Sequence, residues 1–154
     1  MNNAAWETLS SHEDASVNKV LKTIDGGAFE ARYVQRTPEY AIIYVSSHTG
    51  CSFSCRFCHL TATGQTMMTP ASKKEYLDQL EQGLSVYHQK KELGLSPVNR
   101  FHVNFMARGE ALANPVILNE SDDLFESMKE QLFYAEPEAR PRFLVSTILP
   151  KTFD

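Results

Sequence analysis

The stretch that decides the fold runs from an apolar segment, Tyr40-Ala-Ile-Ile-Tyr-Val-Ser46, into a cysteine-rich one, Cys51-Ser-Phe-Ser-Cys55-Arg-Phe-Cys58. The β-branched and aromatic residues of the first segment are typical of a buried strand. Gly50 ends this strand, and residues 47–68 then form a long loop. Loops of this length are uncommon in compact domains unless they have a function. We therefore expect a buried strand that leads into a functional loop containing the cysteines.

A β-hairpin is predicted on the amino-terminal side of this strand. Residues 17–23 and 28–34 are strand-like runs that flank Asp25-Gly26-Gly27, and Asp-Gly supplies the positive φ that a tight hairpin turn needs. Residues 1–15 are polar and show no hydrophobic period. Residues 1–16 are therefore expected to form a polar N-terminal arm with little fixed structure, and residues 17–154 to form the core domain.

Helical and strand-like patterns alternate after the cysteine loop. Thr69 is expected to cap a helix with Pro70 at its first position, because apolar residues recur at helical spacing until Gly94. Residues 101–106 alternate in polarity, which predicts a second strand. Asp122 or Asp123 is expected to open a second helix with an apolar face that extends to Phe133. Pro137 and Pro141 should break the chain before a third strand over residues 143–147.

This order of elements is the βαβ pattern of a parallel sheet, whose functional loops lie at the carboxyl ends of the strands. The predicted fold class is α/β, a partial parallel (βα) barrel of three βα units preceded by a β-hairpin extension. A closed eight-stranded barrel usually needs about 250 residues, and this chain has 154. We therefore expect a core that is incomplete at its C-terminus, with a second copy or another chain covering the edge of the third strand.

The composition is that of an ordinary globular domain, with 42% hydrophobic residues and a formal net charge of −4. It excludes collagen, disordered and disulfide-scaffold classes. The longest apolar run, at residues 40–45, is far shorter than the ~20 residues that span a bilayer. The first residues lack the features of a secretory signal, and the three cysteines are odd in number. We expect a cytoplasmic protein without a membrane partner.

The cysteines, Cys51, Cys55 and Cys58, place three thiols on one short loop. A cubane iron–sulfur cluster normally takes four cysteines, so three leave one iron open to a small-molecule ligand. Two alternatives stay open. The cysteines could be buried apolar side chains, or they could form a zinc site with one histidine. The candidate histidines for such a site are His48, His59 and His102.

The cysteine spacing, with Phe57 before the last cysteine, resembles the signature of the radical S-adenosylmethionine enzymes. Within that superfamily the chain looks most like the adenine-C2 RNA methyltransferases of the RlmN and Cfr type. Three stretches carry the likeness and follow the family's order. They are residues 45–51, residues 105–114 around Gly109 and Glu110, and residues 145–151 around Ser146.

The resemblance implies a [4Fe-4S] cluster and S-adenosylmethionine as cofactors. It implies that the three cysteines ligate the iron and leave the open position to S-adenosylmethionine. By the same resemblance Gly109 and Glu110 contact the methionine amino group, Ser146 contacts the rest of the cofactor, and Phe57 packs near its adenine. RNA is implied as a partner, together with an electron donor such as flavodoxin.

Two departures from the family concern methyl transfer. Members that methylate RNA carry a cysteine seven residues before the first cluster ligand, where this chain has Tyr44, and a further cysteine that carries the methyl group. A phenol with a pKa near ~10 is a poor replacement for a thiol. The sequence therefore predicts a radical S-adenosylmethionine enzyme related to rRNA and tRNA adenine-C2 methyltransferases, which cleaves S-adenosylmethionine reductively through catalytic residues not yet identified. The alternative is a non-catalytic zinc or iron–sulfur module, or an inactive remnant of that family.

Positive charges outside the cysteine loop fall into two groups. The basic residues at 73–91 and Arg100 could contact phosphates, but lysines interspersed with acidic residues are more typical of a solvated helix face, and that interpretation is preferred. Arg108 differs, because it lies at the carboxyl end of a predicted strand beside the Gly-Glu motif.

Overall fold

The computed structural model describes residues 5–151 and arranges six strands in one sheet, in chain order. The first three pairings along the sheet are antiparallel and the last two are parallel. The strands are β1 (Glu7–Ser10), β2 (Val17–Lys22), β3 (Ala28–Thr37), β4 (Tyr40–Tyr44), β5 (Arg100–Phe105) and β6 (Arg140–Val145).

Two long helices connect the parallel strands and pack against each other. The helices are α1 (His59–Ala62), α2 (Lys73–Glu92), α3 (Pro115–Asn119) and α4 (Ser121–Ala135), and a 3-10 turn spans Ala111–Ala113. The connection β4-α2-β5 and the connection β5-α4-β6 are two successive βαβ units. The α/β class and the parallel pairing predicted from the sequence are therefore confirmed. Within residues 5–151, no helix is both long enough and apolar enough to cross a membrane.

The predicted hairpin is formed by β2 and β3, which pair in antiparallel register. Gly26 in its turn has a φ of 82°, the positive value that the Asp-Gly signal predicts. Asp25 Oδ1 accepts a hydrogen bond from the Gly27 amide at 3.0 Å. Asp25 Oδ2 accepts bonds from the hydroxyls of Thr49 and Thr69 at 2.9 and 2.6 Å, so the hairpin turn is attached to both ends of the cysteine loop.

Two predictions about local structure were wrong in their detail. Residues 1–4 of the predicted arm lie outside the described residues, but Glu7–Ser10 forms β1, which pairs with β2 through its backbone. An exposed edge strand needs no hydrophobic period, so the sequence pattern did not show it. Helix α2 begins at Lys73 rather than after Thr69, because Ser72 and Glu75 form a reciprocal capping box.

The third parallel strand also begins earlier than predicted. Strand β6 covers Arg140–Val145 and includes Pro141, which was expected to break the chain. Proline is tolerated there because β6 is the last strand of the described sheet and one of its edges forms no ladder. Phe133 was expected on the buried face of α4, but it is exposed and the core contacts come from Leu124, Met128 and Leu132.

The core lies between the sheet and the helices α2 and α4. Ile43 in β4 and Val103 in β5 are fully buried, and they face the helices together with every second residue of their strands. Gly83 lets α2 approach closely, because a Cβ at this position would lie 2.5 Å from the Cγ2 atom of Ile43. The opposite side of the sheet carries none of the described helices packed against its strands. Because β4, β5 and β6 are parallel, their carboxyl ends lie together at one edge of the sheet.

Candidate functional site

A cavity of about 330 Å³ is located where the loops after β4, β5 and β6 meet. It collects every residue that the sequence assigned to the cluster and to S-adenosylmethionine, although they come from three separate parts of the chain. These residues are Cys51, Phe57, Cys55, Cys58, Gly109, Glu110 and Ser146. The edge of the sheet that holds the cavity is the one that the βαβ pattern predicted.

The cysteine loop is wrapped tightly by backbone hydrogen bonds. The Cys51 amide donates to the carbonyl of Gln65 at 3.0 Å, which closes the base of the loop. The Cys58 amide donates to the carbonyl of Cys55 at 3.0 Å, and helix α1 begins at the next residue. Ser54 adopts a left-handed φ of 57°, a rare value for a residue with a side chain. The loop thus turns its cysteines toward one cavity.

The three thiols are all free, and Cys51 is buried. Burial raises the pKa of the Cys51 thiol, and the nearby Cys58 and Cys55 add to the rise. A thiolate at Cys51 would therefore be stabilised by a positively charged metal group. Among residues 5–151, no three His, Cys, Asp or Glu side chains converge closely enough to hold a single metal ion. A cubane binds each thiolate through a different iron, so its ligands stand around the cluster.

The histidines considered for a zinc site occupy three different places. His59 lines the cavity beside Cys58. His48 is buried, its Nδ1 lies 3.1 Å from the Ser47 hydroxyl oxygen, and burial lowers its pKa. His102 is in the middle of β5, where its ring stacks on Tyr40, and it is not part of the cavity wall. The structure brings only His59 to the same cavity as the cysteines.

Gly109 and Glu110 form the wall of the cavity opposite the cysteine loop. Gly109 has a φ of 88°, and a Cβ there would lie 2.6 Å from His48 Nδ1 and 2.7 Å from the Ser47 hydroxyl oxygen. The loop after β5 can therefore pass this closely over the loop after β4 only with glycine at position 109. Arg108 assists, because its carbonyl accepts a hydrogen bond from the Ser47 amide at 2.8 Å.

Glu110 is only 5% exposed, and three donors hold its carboxylate. The amides of Leu112 and Ile148 donate to it at 3.2 and 3.1 Å, and the Thr147 hydroxyl donates a further hydrogen bond. These contacts join the loop after β5 to the chain after β6. A carboxylate has about four acceptor positions, so roughly one remains for a donor in the cavity.

Arg108 is a part of the wall that the sequence indicated without showing its partners. It is 5% exposed, and its Nη1 donates to Glu30 Oε1 at 2.6 Å. Its Nη2 donates to the side-chain oxygen of Gln65. Arg108 therefore links β3, the cysteine loop and the Gly-Glu motif. No sequence signal gave Glu30 this role, because the pairing depends on how the antiparallel hairpin joins the parallel strands.

Asn114 fixes the end of the Gly-Glu motif. It is fully buried, and its Nδ2 donates to the carbonyls of Ser47 and Ala71 at 2.8 and 3.0 Å. Its Oδ1 accepts from the Val116 amide at 2.8 Å, which caps α3. One side chain thus connects the start of the cysteine loop, the entrance to α2 and the start of α3.

Phe57 and Ser146 lie on the cavity wall but have few partners in the protein. Phe57 is 93% exposed, so its ring is free to contact a ligand. The Ser146 hydroxyl lies 3.7 Å from the sulfur of Met106. Tyr44 lines a neighbouring cavity of about 300 Å³ with Arg32, so the phenol is outside the wall that contains the cysteines.

Comparisons with known proteins confirm the resemblance found in the sequence. The chain is 34% identical over 108 residues to a protein of Frankia casuarinae described as a "probable dual-specificity RNA methyltransferase RlmN". The alignment covers 70% of this chain and 24% of that protein. It is 31% identical over 122 residues to the "ribosomal RNA large subunit methyltransferase Cfr" of Clostridium botulinum. This alignment covers 79% of this chain and 30% of that protein. No protein-family model matches the chain.

A solved structure shows the same fold. The superposition on the radical SAM methyltransferase from Sphaerobacter thermophilus has a TM-score of 0.60 at 19% sequence identity. It covers 92% of this chain and 38% of the Sphaerobacter chain. The chain is thus related to the methyltransferases named RlmN and Cfr. It spans about a quarter of the length of the curated relatives that it matches.

Proposed function

We propose that this relative of the RlmN and Cfr methyltransferases holds a [4Fe-4S] cluster through Cys51, Cys55 and Cys58 and binds S-adenosylmethionine beside it. One observation carries the proposal: a single cavity brings the three free cysteines together with Gly109, Glu110 and Ser146. The arrangement is that of a binding site for a thiophilic group and a cationic ligand.

The donor set fits the cluster. The three thiols lie on one short loop and face one cavity, and the wall opposite them belongs to different strands. Three thiolates would leave one iron without a protein ligand. When bound, the cluster supplies one electron to the sulfonium of S-adenosylmethionine, so that a carbon–sulfur bond breaks into methionine and a 5′-deoxyadenosyl radical. The residues of the chain position the cofactor and exclude water.

The wall opposite the cysteines fits the methionine end of S-adenosylmethionine. The remaining acceptor position of Glu110 suits an ammonium group, and the carboxylate is already fixed by donors from two loops. Because Glu110 is buried, its charge is little screened by water and attracts a cationic ligand strongly. Gly109 leaves the backbone open to the ligand. The exposed ring of Phe57 offers an apolar face to the adenine, and Ser146 offers a hydroxyl to the nucleoside.

RNA is the substrate class proposed for this site, because the relatives are described as RNA methyltransferases. The described residues place no thiol outside the cysteine loop, and Tyr44 lies in a neighbouring cavity. We therefore restrict the proposal to cofactor binding and reductive cleavage, with a flavodoxin-type electron donor. A zinc or iron–sulfur module without activity is the alternative, and no specific contact favours it over the enzyme.

The proposal extends to the architecture. The three parallel strands β4, β5 and β6 would form the beginning of a partial barrel, with β2 and β3 as its hairpin extension. The core domain at residues 17–154 and the cytoplasmic location stay predictions.

Reductive cleavage of S-adenosylmethionine tests the proposed function. After anaerobic reconstitution with iron and sulfide, the protein should release 5′-deoxyadenosine when dithionite and S-adenosylmethionine are added, because Glu110 would hold the methionine ammonium group of the cofactor beside the cluster. Chromatography of the quenched reaction measures the product. The control omits dithionite and should give none. A fully reconstituted protein that releases no 5′-deoxyadenosine would support the inactive module instead.

A further inference from the structure

The side of the sheet without helices, called here the open face, carries a separate group of residues. Side chains alternate between the two faces of a strand, so the buried Val103 faces the helices while its neighbours Arg100, His102 and Asn104 occupy the open face. The parallel register places Arg100 beside Arg140. These positions are at the amino ends and middle of the strands, away from the cavity at their carboxyl ends.

Three arginines, Arg100, Arg140 and Arg142, form what we call the arginine cluster. Arg100 and Arg140 are direct neighbours across β5 and β6, and Arg142 is the neighbour of His102. All three arginine side chains are exposed. Like charges at neighbouring positions of a sheet destabilise it, so this pairing is unfavourable for folding alone. The exposed Arg36 lines a cavity next to Tyr44 on the same face and extends the positive region.

The arginine cluster differs from the lysines of the helices in its partners. None of the ion pairs within the described part of the chain includes a residue of the arginine cluster or Arg36. By contrast, four lysines of the helix side are each paired with a carboxylate. These are Lys73, Lys74, Lys91 and Lys129. The expectation that Arg100 belongs to a solvated helix face was therefore wrong, since Arg100 is in β5 on the open face.

The open face also carries a pair of stacked rings. The rings of Tyr40 and His102 stack with a centroid distance of 5.1 Å and an interplanar angle of 20°. Among the described residues, His102 Nε2 and Asn104 Oδ1 are buried atoms without a hydrogen-bond partner, so they do not contribute an exposed contact. Burial lowers the pKa of His102, and the nearby Arg142 and Arg100 lower it further. Unpaired arginines beside aromatic rings are typical of single-stranded nucleic-acid surfaces.

We propose that the arginine cluster is a docking site for the phosphate backbone of single-stranded RNA, outside the cavity that holds the cofactor. The proposal rests on the proposed function in one respect: the RNA strand would run along the open face toward the cavity where the cofactor is proposed to bind. Met106 at the cavity wall lies six positions after Arg100, a distance of roughly 20 Å at about 3.3 Å per residue. The site therefore contacts nucleotides beyond the one that reacts.

Charge complementarity selects this occupant over a second copy of the chain. The chain has a net charge of −4, yet four arginines without ion pairs lie on one face of its sheet. Two copies that met through this face would bring the arginines of each copy against those of the other, which costs free energy. A polyanion gains from the same charges and releases its counterions when it binds.

Fluorescence anisotropy of a labelled single-stranded oligouridylate tests this docking site on the full chain without cofactors. The triple variant R100Q, R140Q and R142Q removes three charges from the open face. Its matched control, K73Q, K74Q and K129Q, removes three charges from the helix side. The cluster variant should bind RNA at least ~10-fold more weakly, and its logarithmic salt dependence should fall by about 2, since each phosphate contact contributes about 0.7 for single strands.

The control variant should keep both the affinity and the salt dependence of the original protein. An equal loss in both triple variants would overturn the proposal, and so would equally tight binding of a duplex. Loss of a dimer in the cluster variant, with no RNA binding by the original protein, would assign the face to a second copy. Release of 5′-deoxyadenosine without RNA should be unchanged in the cluster variant. If the original protein binds RNA through the arginine cluster but releases no 5′-deoxyadenosine, the result would count against the proposed function and not against the docking site.

Discussion

Cys55→Ala should eliminate the release of 5′-deoxyadenosine by the reconstituted protein. Cys55 lines the cavity between the other two cysteines in sequence and is held by the tight turn to Cys58. Removal of its sulfur leaves two thiols for a cluster that already has one iron without a protein ligand. The cluster should then be lost, and S-adenosylmethionine would have no electron donor. Quantitative chromatography of the product after dithionite addition measures this loss.

Ser52→Ala is the matched control for Cys55→Ala. Ser52 belongs to the same loop and is exposed, and its hydroxyl donates to the sulfur of Met68 rather than facing the cavity. This variant should release as much 5′-deoxyadenosine as the original protein. The two variants therefore separate the loss of a ligand from disturbance of the loop. Undiminished product formation by Cys55→Ala would show that the thiol is not a ligand of the working cluster.

Gly109→Ala should destabilise the protein by about 2 to 5 kcal/mol. A residue with a side chain pays roughly 1–2 kcal/mol in the left-handed region, and overpacking costs about 1–3 kcal/mol more. Both apply, because Gly109 has a φ of 88° and a new Cβ would lie 2.6 Å from His48 Nδ1. His48 is buried and cannot move away into solvent. Urea unfolding of the metal-free protein, followed by circular dichroism, measures the free energy of unfolding.

Gly64→Ala separates the backbone cost from the steric one. Gly64 also has a positive φ, of 68°, but nothing lies within 4 Å of a Cβ at that position. The Gly64→Ala variant should therefore lose only about 1–2 kcal/mol of the free energy of unfolding, which is the backbone cost alone. Alanine restricts the unfolded chain similarly at both sites, so that contribution cancels in the comparison. Equal losses in the two variants would contradict the close packing of Gly109 on the loop after β4.

Local signals made much of the fold predictable from the sequence. Gly26 in the hairpin turn and the alternating apolar residues of β5 indicate their structures within a few residues, and both predictions were confirmed. The start of α2 was misplaced because Thr69 and Ser72 are both good capping residues. Only the tertiary contact of Thr69 with Asp25 decides between them.

The residues of the candidate site that belong to sequence motifs could be predicted. The contacts that depend on how the strands pair in the sheet could not. The cysteines and Gly109-Glu110 have recognisable spacing, and the structure brings them to one cavity. The contact of Arg108 with Glu30 joins residues 78 positions apart, and no periodicity shows such a pair. The exposed arginines of the open face became visible only when the register placed Arg100 beside Arg140.

The metal content of the anaerobically purified chain tests the central claim most directly, because the claim is that three thiols hold an iron–sulfur cluster. Elemental analysis should find about four irons per chain together with sulfide. The triple variant C51A, C55A and C58A, which lacks all three thiols, should contain neither. A colourless protein with one zinc per chain and no iron would contradict the account.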